Sequence, residues 1–240
     1  MIIAEDYSGE GLHLWHPYVF KYEFDFSDIL PKIRPTYEAA LNHWAAKTDQ
    51  TQVESIPNST TSRVGRYEYT LEPHNQECMQ PFNNWLGSRI SWVWDQFGYL
   101  GAESEISQSW FNRHEKGGQT KEHTHNCIEL VVASYLQNDG EGQGNIEIKD
   151  PLEYHKTGYP YDAEKEVWKE IKCPTNTVLI FPGWVNHRSQ VNKVGGERMV
   201  MTYNINARLF KCDVYENRFV LPNTLNAVSY THLTLPTRLM

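Results

Sequence analysis

Two segments in the first hundred residues have apolar positions spaced as on one face of a helix. The first stripe recurs at intervals of three and four residues and consists of Tyr37, Ala40, Leu41, Trp44 and Ala45. The second follows Pro81, a residue favoured in a first helical turn, and Gly98 stands after it as a stop signal. Its members are Phe82, Trp85, Leu86, Ile90, Val93 and Phe97. Both patterns predict amphipathic helices that pack against a core.

After Gly101 the pattern changes to short runs that are typical of β-strands. Five runs are separated by Gly, Asn, Asp or Pro: EISQSWFN, IELVVASYL, NIEIKD, NTVLIFP and RMVMTYNIN. Residues 137–144 form a turn cluster, and residues 193–197 are suited to a hairpin between two strands. Helices followed by strands predict a mainly β fold, a sandwich or barrel braced by helices on one sheet.

We expect one domain over residues 1–226, with helical support at about 30–98 and a β core at about 104–207. The last segment, 227–240, lacks periodicity, and its stretch SYTHLTLPT resembles translated adapter sequence in metagenomic gene predictions. We therefore expect this tail to be non-native and assign no role to His232. An ordinary flexible tail would leave the rest of the interpretation unchanged.

Composition narrows the class of protein. A chain of 240 residues is long enough for one well-buried domain, and its net charge of −8 without a basic stripe argues against a general nucleic-acid binder. The four cysteines are widely spaced with no CxxC pair, as in a protein with reduced thiols. The acidic N-terminus does not fit a signal peptide, and no run approaches the roughly 18 apolar residues of a membrane span. We expect a cytoplasmic protein without a membrane partner.

Three histidines form a candidate metal site. His123 and His125 stand at the start of an apolar segment, where side chains at i and i+2 of an extended chain share a face. His187 ends the motif FPGWVNH, in which Pro182 and Gly183 turn the chain after an apolar strand. A lone histidine is more often structural than a ligand, but the pair and the turn together favour a metal. Three further histidines, His74, His114 and His155, are interpreted as surface residues, and Trp184 as packing beside the site.

Arg198 opens the strand RMVMTYNIN, eleven residues after His187. One face of this strand is apolar and suits packing on helices; the other face consists of Arg198, Val200, Thr202 and Asn204. That second face would point a guanidinium, a hydroxyl and an amide into the barrel interior, where a charge needs a partner. We expect Arg198 to be unpaired within the protein and to bind a carboxylate that a ligand supplies.

The motifs WFNRHEKGG, HTH, GNIEIKDPLEYHK, VLIFPGWVNH and ERMVMTYNI together resemble the 2-oxoglutarate/Fe(II) oxygenases of cyanophages and marine bacteria. The resemblance covers residues 80–207 well and the N-terminal helices more loosely. It implies a double-stranded β-helix, the jelly-roll fold of two antiparallel sheets. It also implies an oxidoreductase, a dioxygenase that hydroxylates a C–H bond of a protein or small-molecule substrate, in the host cytoplasm if the gene belongs to a phage.

What the resemblance implies for the site fits the chemistry of the residues. Non-haem iron oxygenases hold Fe(II) by three side chains on one face, which leaves positions for 2-oxoglutarate and dioxygen. The three catalytic metal ligands would be His123, His125 and His187. Arg198 would bind the distal carboxylate of 2-oxoglutarate through its two-pronged guanidinium. Further cofactor-binding candidates are Tyr135, Asn112, Thr202 and Asn204.

The identity of the metal and two alternative functions remain open at this point. The related enzymes usually have a carboxylate where this chain has His125, and three histidines also suit Zn(II). The first alternative function is that of a cupin, because residues 117–129 fit the first motif of these metal proteins, with Glu129 as a fourth ligand. Glu122 would point to the opposite face of the strand from His123 and His125 and does not suit that role. A cupin would not need Arg198 for a cosubstrate. The second alternative is a non-catalytic binding barrel that keeps its metal as a structural link.

Overall fold

The computed structural model describes residues 10–13, 18–43, 58–63, 71–99, 102–139, 142–151, 167–208 and 219–220. Two α-helices lie in these ranges, α1 (Leu30–Asn42) and α2 (Gln80–Gln96), with two short 3₁₀ turns between them at Pro73–Asn75 and Glu77–Met79. Within the described part of the chain, neither helix is long and apolar enough to cross a membrane.

Eleven strands are found in the same ranges. They are β1 (Glu10–His13), β2 (Tyr18–Glu23), β3 (Ser59–Thr61), β4 (Glu103–His114), β5 (Leu130–Gln137), β6 (Ile146–Lys149), β7 (Trp168–Ile171), β8 (Thr177–Pro182), β9 (His187–Ser189), β10 (Arg198–Arg208) and β11 (Phe219–Val220). The five strands predicted from the apolar runs are confirmed as β4, β5, β6, β8 and β10.

Both predicted helices are confirmed. Helix α1 buries Ile33 together with Tyr37, Ala40 and Leu41 of the predicted stripe; Trp44 and Ala45 lie outside the described residues. Helix α2 has Pro81 in its first turn, and Gly98 follows it with φ +78°, a left-handed conformation that glycine adopts without strain. The α2 side chains that enter the core are Phe82, Leu86, Ile90 and Val93.

The strands form two antiparallel sheets. The larger has the order β1-β2-β8-β5-β10-β4-β11, with β3 also paired to β4, and the smaller has the order β7-β6-β9. A bridge between His123 and His187 adds the segment around residue 123 to the smaller sheet beside β9. The smaller sheet thus consists of three strands and one bridged segment. This arrangement is the double-stranded β-helix, and the predicted fold class is confirmed.

Strand β10 separates two cores. Its side chains Met199, Met201, Tyr203 and Ile205 join the cluster between the larger sheet and the helices. Val200, on the other face, joins a second cluster between the two sheets. The predicted division of this strand into a helix-facing side and a barrel-facing side is therefore confirmed. It places Arg198, Thr202 and Asn204 inside the barrel.

Several expectations about the connections are wrong. Residues 193–197 do not make a hairpin, because β9 pairs with β6 in the smaller sheet whereas β10 pairs with β4 and β5 in the larger sheet. The segment crosses from one sheet to the other. The polar composition of TQVESIPNSTTSRVG predicted a loop, but this stretch contains β3, which pairs with the end of β4. Strands β1 and β2, which the sequence pattern did not indicate, extend the larger sheet beyond β8.

Two histidines interpreted as surface residues are buried. His74, at 5% exposure, lies in a 3₁₀ turn with its Nδ1 2.7 Å from the Ser109 hydroxyl. His114, at 3% exposure, ends β4 inside the barrel. Both found polar partners on distant segments, which a local pattern of polar residues does not reveal.

Candidate metal centre

The chain brings the three histidines together through backbone pairing. His123 and His187 face each other across an antiparallel bridge, with N···O distances of 3.0 and 3.1 Å in the two directions. The His125 amide donates to the Gly183 carbonyl at 2.8 Å. The FPG turn thus fixes both parts of the site. A Cβ at position 183 would lie 2.1 Å from the Ile128 carbonyl oxygen, which accounts for glycine there.

The histidine pair differs in one respect from the prediction. It does not open β5, because a turn at Asn126 and Cys127 intervenes, with Cys127 at φ +61°. The pair instead belongs to the edge of the smaller sheet. The turn carries the chain from that sheet into β5 of the larger sheet.

Hydrogen bonds fix the same tautomer in all three imidazoles. Each Nδ1 lies next to an oxygen acceptor, so that each Nδ1 carries the proton and each Nε2 keeps its lone pair. The acceptors for His123, His125 and His187 are respectively the Lys121 carbonyl at 2.8 Å, the Asn204 Oδ1 at 2.7 Å and the Val185 carbonyl at 2.9 Å. Such outer contacts are typical of metal-binding histidines.

The free nitrogens converge on one point. The Nε2 atoms of His123 and His125 are 3.2 Å apart, and the ligand atoms of all three histidines lie within 4.8 Å of one another. Two lone pairs at that distance repel each other unless a cation lies between them. A metal with Zn–N or Fe–N bonds of about 2.1 Å fits this spacing.

Burial keeps the three imidazoles neutral. It lowers the pKa of His125 to about 4, lowers that of His123, and holds that of His187 well below its ordinary value. The positive charge of Arg63 is a further, smaller cause for His123 and His125. At neutral pH the ligand atoms are therefore unprotonated, as metal binding requires.

The two nearby carboxylates belong to other contacts. Glu122 accepts from Lys149 Nζ at 3.1 Å and from the Asn186 amide at 2.5 Å. Glu129 lies 2.7 Å from the Asn206 amide nitrogen in the orientation that satisfies both groups. Within the described residues, the metal-ligating group therefore contains the three histidines without a carboxylate. Glu129 does not take the place of a fourth, cupin-type ligand.

Three of the predicted cofactor-binding residues bond to protein groups. The Asn204 Oδ1 accepts from His125 Nδ1, so this oxygen orients the His125 imidazole. Asn112 donates to the Thr202 hydroxyl at 3.3 Å. Trp110, which the sequence interpretation passed over, stacks on His125 with ring centroids 5.7 Å apart and planes at 24°. Trp110 and Asn112 stand two residues apart in the motif WFN, so that an extended chain points both side chains to the same face, and this spacing was the sequence signal for Trp110.

Arg198 is buried as predicted, but it is not unpaired. Its Nε donates to His114 Nδ1 at 3.3 Å, its Nη1 to the Gln143 carbonyl at 2.5 Å, and its Nη2 to Ser189 Oγ and the Gln190 carbonyl, both at 2.9 Å. The prediction failed because these partners come from crossing segments, not from its own strand. All four acceptors are neutral, so among the described residues no carboxylate balances the charge.

Tyr135 lies in the same interior region as Arg198. It is 3% exposed and belongs to the cluster between the two sheets. Burial, followed by the neighbouring Cys173, raises the pKa of its phenol well above the ordinary value, so the hydroxyl stays protonated. A neutral phenol beside a buried guanidinium can donate a hydrogen bond to a bound anion.

Trp184 was expected to pack beside the site, and this expectation is wrong. Its side chain is 54% exposed at the turn between Gly183 and Val185. Both neighbouring carbonyls bond to metal-site histidines, so this exposed aromatic ring stands on the turn that contacts His125 and His187.

A surface basin of about 1200 Å³ lies elsewhere, on the outer side of the smaller sheet. Two acidic residues of its lining have partners, since Arg188 donates to Glu147 at 2.6 Å and Asn145 donates to Glu170 at 2.7 Å. The three metal-site histidines do not line it. Ser189 and Gln190 do line it, and both accept from Arg198, so the basin reaches the contacts of that guanidinium.

Acidification is expected to destabilise the protein partly through His114. Burial and the charge of Arg198 hold the pKa of His114 well below 6.5, so only the unfolded state takes up this proton as the pH falls below 6.5. Stability is thus full above that pH and decreases below it, by up to about 1.4 kcal/mol per pH unit for one such group. Urea unfolding with a chelator, between about pH 7.5 and 5, measures the slope.

His114→Gln is the matched variant, since an amide can accept from Arg198 and donate to Thr120. For His114→Gln, the free energy of unfolding should depend less steeply on pH than for the wild type, because unfolding takes up one proton fewer. Glu72, whose pKa burial raises to about 7, acts in the opposite direction in both proteins and cancels in the comparison. Equal slopes would mean that His114 does not contribute.

Comparisons with protein families and with solved structures find similarity to oxygenases described as 2OG-Fe(II) oxygenases. A family model described as "Putative 2OG-Fe(II) oxygenase" matches residues 108–204. This range contains the three histidines and Arg198. No significant match is found among curated proteins.

Solved structures share the fold at low sequence identity. An oxidoreductase of the 2OG-Fe(II) oxygenase family from Burkholderia pseudomallei has 16% identity and a TM-score of 0.53, over 78% of this chain and 84% of that chain. HygX from Streptomyces hygroscopicus, with nickel, 2-oxoglutarate and hygromycin B bound, has 12% identity and a TM-score of 0.53, over 78% and 82%. A prolyl-4-hydroxylase from Pseudomonas putida has 11% identity and a TM-score of 0.51, over 78% and 92%.

Proposed function

We propose that this chain, which carries the 2OG-Fe(II) oxygenase pattern over residues 108–204 on the fold of that family, oxidises a C–H bond of its substrate with Fe(II), 2-oxoglutarate and dioxygen. The observation that carries the proposal is the convergence of three unprotonated Nε2 atoms, each fixed by an Nδ1–H···O bond. Such a donor set is built to hold a metal on one face.

The histidines would hold the iron, and the side of the metal away from them would receive the other reactants. When bound, the iron supplies the coupled chemistry in which 2-oxoglutarate and O2 become succinate and CO2 while C–H becomes C–OH. The protein residues orient and shield the reactants. Asn204 and the two backbone acceptors prevent the imidazoles from turning, and the apolar cluster around Val200 excludes water from the barrel interior.

Arg198 would anchor the distal carboxylate of 2-oxoglutarate. It is fully buried inside the barrel and keeps a positive charge that only neutral acceptors surround among the described residues. A buried cation of this kind gains from an anion that enters. Tyr135, on the same interior surface, would donate a second hydrogen bond to it.

The alternatives differ from this proposal at identifiable residues. A cupin would use Glu129 as a ligand, but that carboxylate lies against Asn206. A non-catalytic barrel would keep the histidines without needing a buried cation in the interior, so Arg198 also argues against it. The relation to cyanophage enzymes and a cytoplasmic location remain predictions from the sequence.

The proposed reaction is tested by uncoupled turnover. We expect the wild-type chain with Fe(II), ascorbate and air to convert 2-oxoglutarate slowly to succinate even without its substrate. His125→Ala should reduce the rate at least about 100-fold, since ligand loss should exceed the 10–100-fold effect typical of outer contacts. Succinate is measured by mass spectrometry with labelled 2-oxoglutarate. Consumption at the same rate in the variant would contradict the proposal.

A further inference from the structure

The charges around the metal centre are unevenly balanced. A site with two histidines and a carboxylate gives the metal one negative ligand, whereas His123, His125 and His187 are all neutral. If 2-oxoglutarate binds as proposed above, its two carboxylates are used at the metal and at Arg198. The metal then keeps about one more positive charge than in the usual ligand set. The remaining substrate site faces this positive charge.

A second cation, Arg63, stands next to this site. Its guanidinium carbon lies 4.9 Å from the centre of the Trp110 ring, and the Trp110 ring stacks on His125. Arg63 is also close enough for its charge to lower the pKa of His123 and His125. It therefore lies next to the metal centre, on the Trp110 side of His125.

The position of Arg63 is fixed by the larger sheet. Strand β3 pairs with the end of β4, and the next residue, Ser62, exchanges two hydrogen bonds of 2.9 Å with the Phe111 backbone. The amide of Arg63 donates to the Thr61 hydroxyl at 3.2 Å. These hydrogen bonds attach the segment to β4 and thereby hold Arg63 beside Trp110.

Arg63 is available to a ligand. The residue is exposed, and among the described residues no carboxylate forms an ion pair with it. Partial burial nevertheless lowers the pKa of its guanidinium, and the group lies over the Trp110 ring. A cation that is partly desolvated, stacked and unpaired gains more from an anion than a fully hydrated one does.

We propose that the primary substrate is an anion, a carboxylate or a phosphate ester, whose charged group binds Arg63 beside Trp110 while its reacting C–H bond faces the metal. This rests on the proposed function, because it concerns the substrate of that same site. Trp184, whose side chain is exposed on the turn that contacts His125 and His187, would offer apolar contact to the body of such a molecule.

Matched anionic and neutral probes test this inference. The full chain is loaded with Co(II), whose visible spectrum reports ligands near the metal, with and without saturating N-oxalylglycine, an inert analogue of 2-oxoglutarate. The probe pairs are hexanoate with hexanamide, and glycerol 3-phosphate with glycerol. We expect one anion to bind about tenfold tighter than its neutral counterpart, as for one charge-assisted contact. The pair that shows the preference distinguishes carboxylate from phosphate.

Arg63→Gln should remove the preference, to within about twofold. The matched control is Arg89→Gln, because Arg89 lies 4.8 Å from the Trp85 ring in the same stacked manner on helix α2, and this variant should keep the preference. Because Arg63 is exposed, Arg63→Gln should unfold at the wild-type temperature, which verifies its fold.

Two results would overturn the inference: no preference for either anion in the wild type, or a preference that survives in Arg63→Gln. Failure of the proposed function has a different signature. In that case N-oxalylglycine would not bind the Co(II) protein, while the measurements without the analogue would still decide whether Arg63 selects anions.

Discussion

Replacing Arg198 with methionine is expected to abolish the preference of the metal-loaded protein for 2-oxoglutarate over 2-oxobutyrate, which lacks the distal carboxylate. The wild type should bind 2-oxoglutarate about 100-fold tighter, because a buried guanidinium can contribute a charge-assisted, two-pronged contact. In Arg198→Met the two keto acids should bind with similar, weak affinity. Calorimetric titration under anaerobic conditions measures both dissociation constants.

Arg198→Met is also expected to lower the stability of the fold, so its effect on keto-acid binding has to be distinguished from its effect on stability. Arg198→Met removes the donor from two carbonyls, a hydroxyl and an imidazole, so we expect the free energy of unfolding to fall by about 3 kcal/mol. Comparing two ligands on one variant cancels this loss. Arg188→Met is the control, since Arg188 pairs with Glu147 on the outer side of the smaller sheet. An Arg198→Met protein that still discriminates between the keto acids would remove Arg198 from the cosubstrate site.

Loss of a metal ligand is the second large effect. His187→Ala should lower the affinity for Fe(II) by more than the roughly 10–100-fold expected for Asn204→Ala, which removes only the partner of the His125 Nδ1 proton. His74→Gln is the matched control, because His74 is buried and bonded to Ser109 but lies outside the triad. Metal analysis after anaerobic reconstitution and desalting measures the iron that each of the three variants retains, and competition with a chelator of known affinity converts retention into relative affinities. Equal retention in His187→Ala and His74→Gln would contradict the assignment.

The candidate ligands could be predicted from the sequence because their signals are local. The spacing of His123 and His125 and the FPGWVNH turn each occupy a few residues, and short-range geometry limits where such side chains point. The alternation along β10 likewise assigned Arg198 and Asn204 to the barrel interior, since period-two patterns fix the face of a strand. The order of helices and strands predicted a mainly β sandwich or barrel, and the resemblance of the motifs to known oxygenases implied the double-stranded β-helix.

The contacts of those same residues could not be predicted. Arg198 bonds to Gln143 and Gln190, which reach it because two loops cross near the start of β10. Parity along one strand gives no information about such crossings. His114 was interpreted as exposed for the same reason: its partners, Arg198 and Thr120, are brought to it by tertiary structure.

The position of Arg63 illustrates the same limit on the substrate side. It follows a three-residue strand within a stretch whose composition predicted a loop, and pairing with β4 decides that it lies beside Trp110. The pairing spans about fifty residues of sequence, and short polar strands at a sheet edge carry little periodic signal. The position of Arg63 beside Trp110 could therefore be identified only from the folded chain.

The most direct test of the account is the joint binding of iron and 2-oxoglutarate. After anaerobic reconstitution, the wild type should hold about one Fe(II) and about one 2-oxoglutarate per chain, and 2-oxoglutarate should bind far more weakly when the metal is omitted. The His123→Ala/His187→Ala double variant should hold neither tightly. Stoichiometric iron in that double variant, or tight 2-oxoglutarate binding without any metal, would contradict the central claim that these three histidines form the oxygenase metal centre.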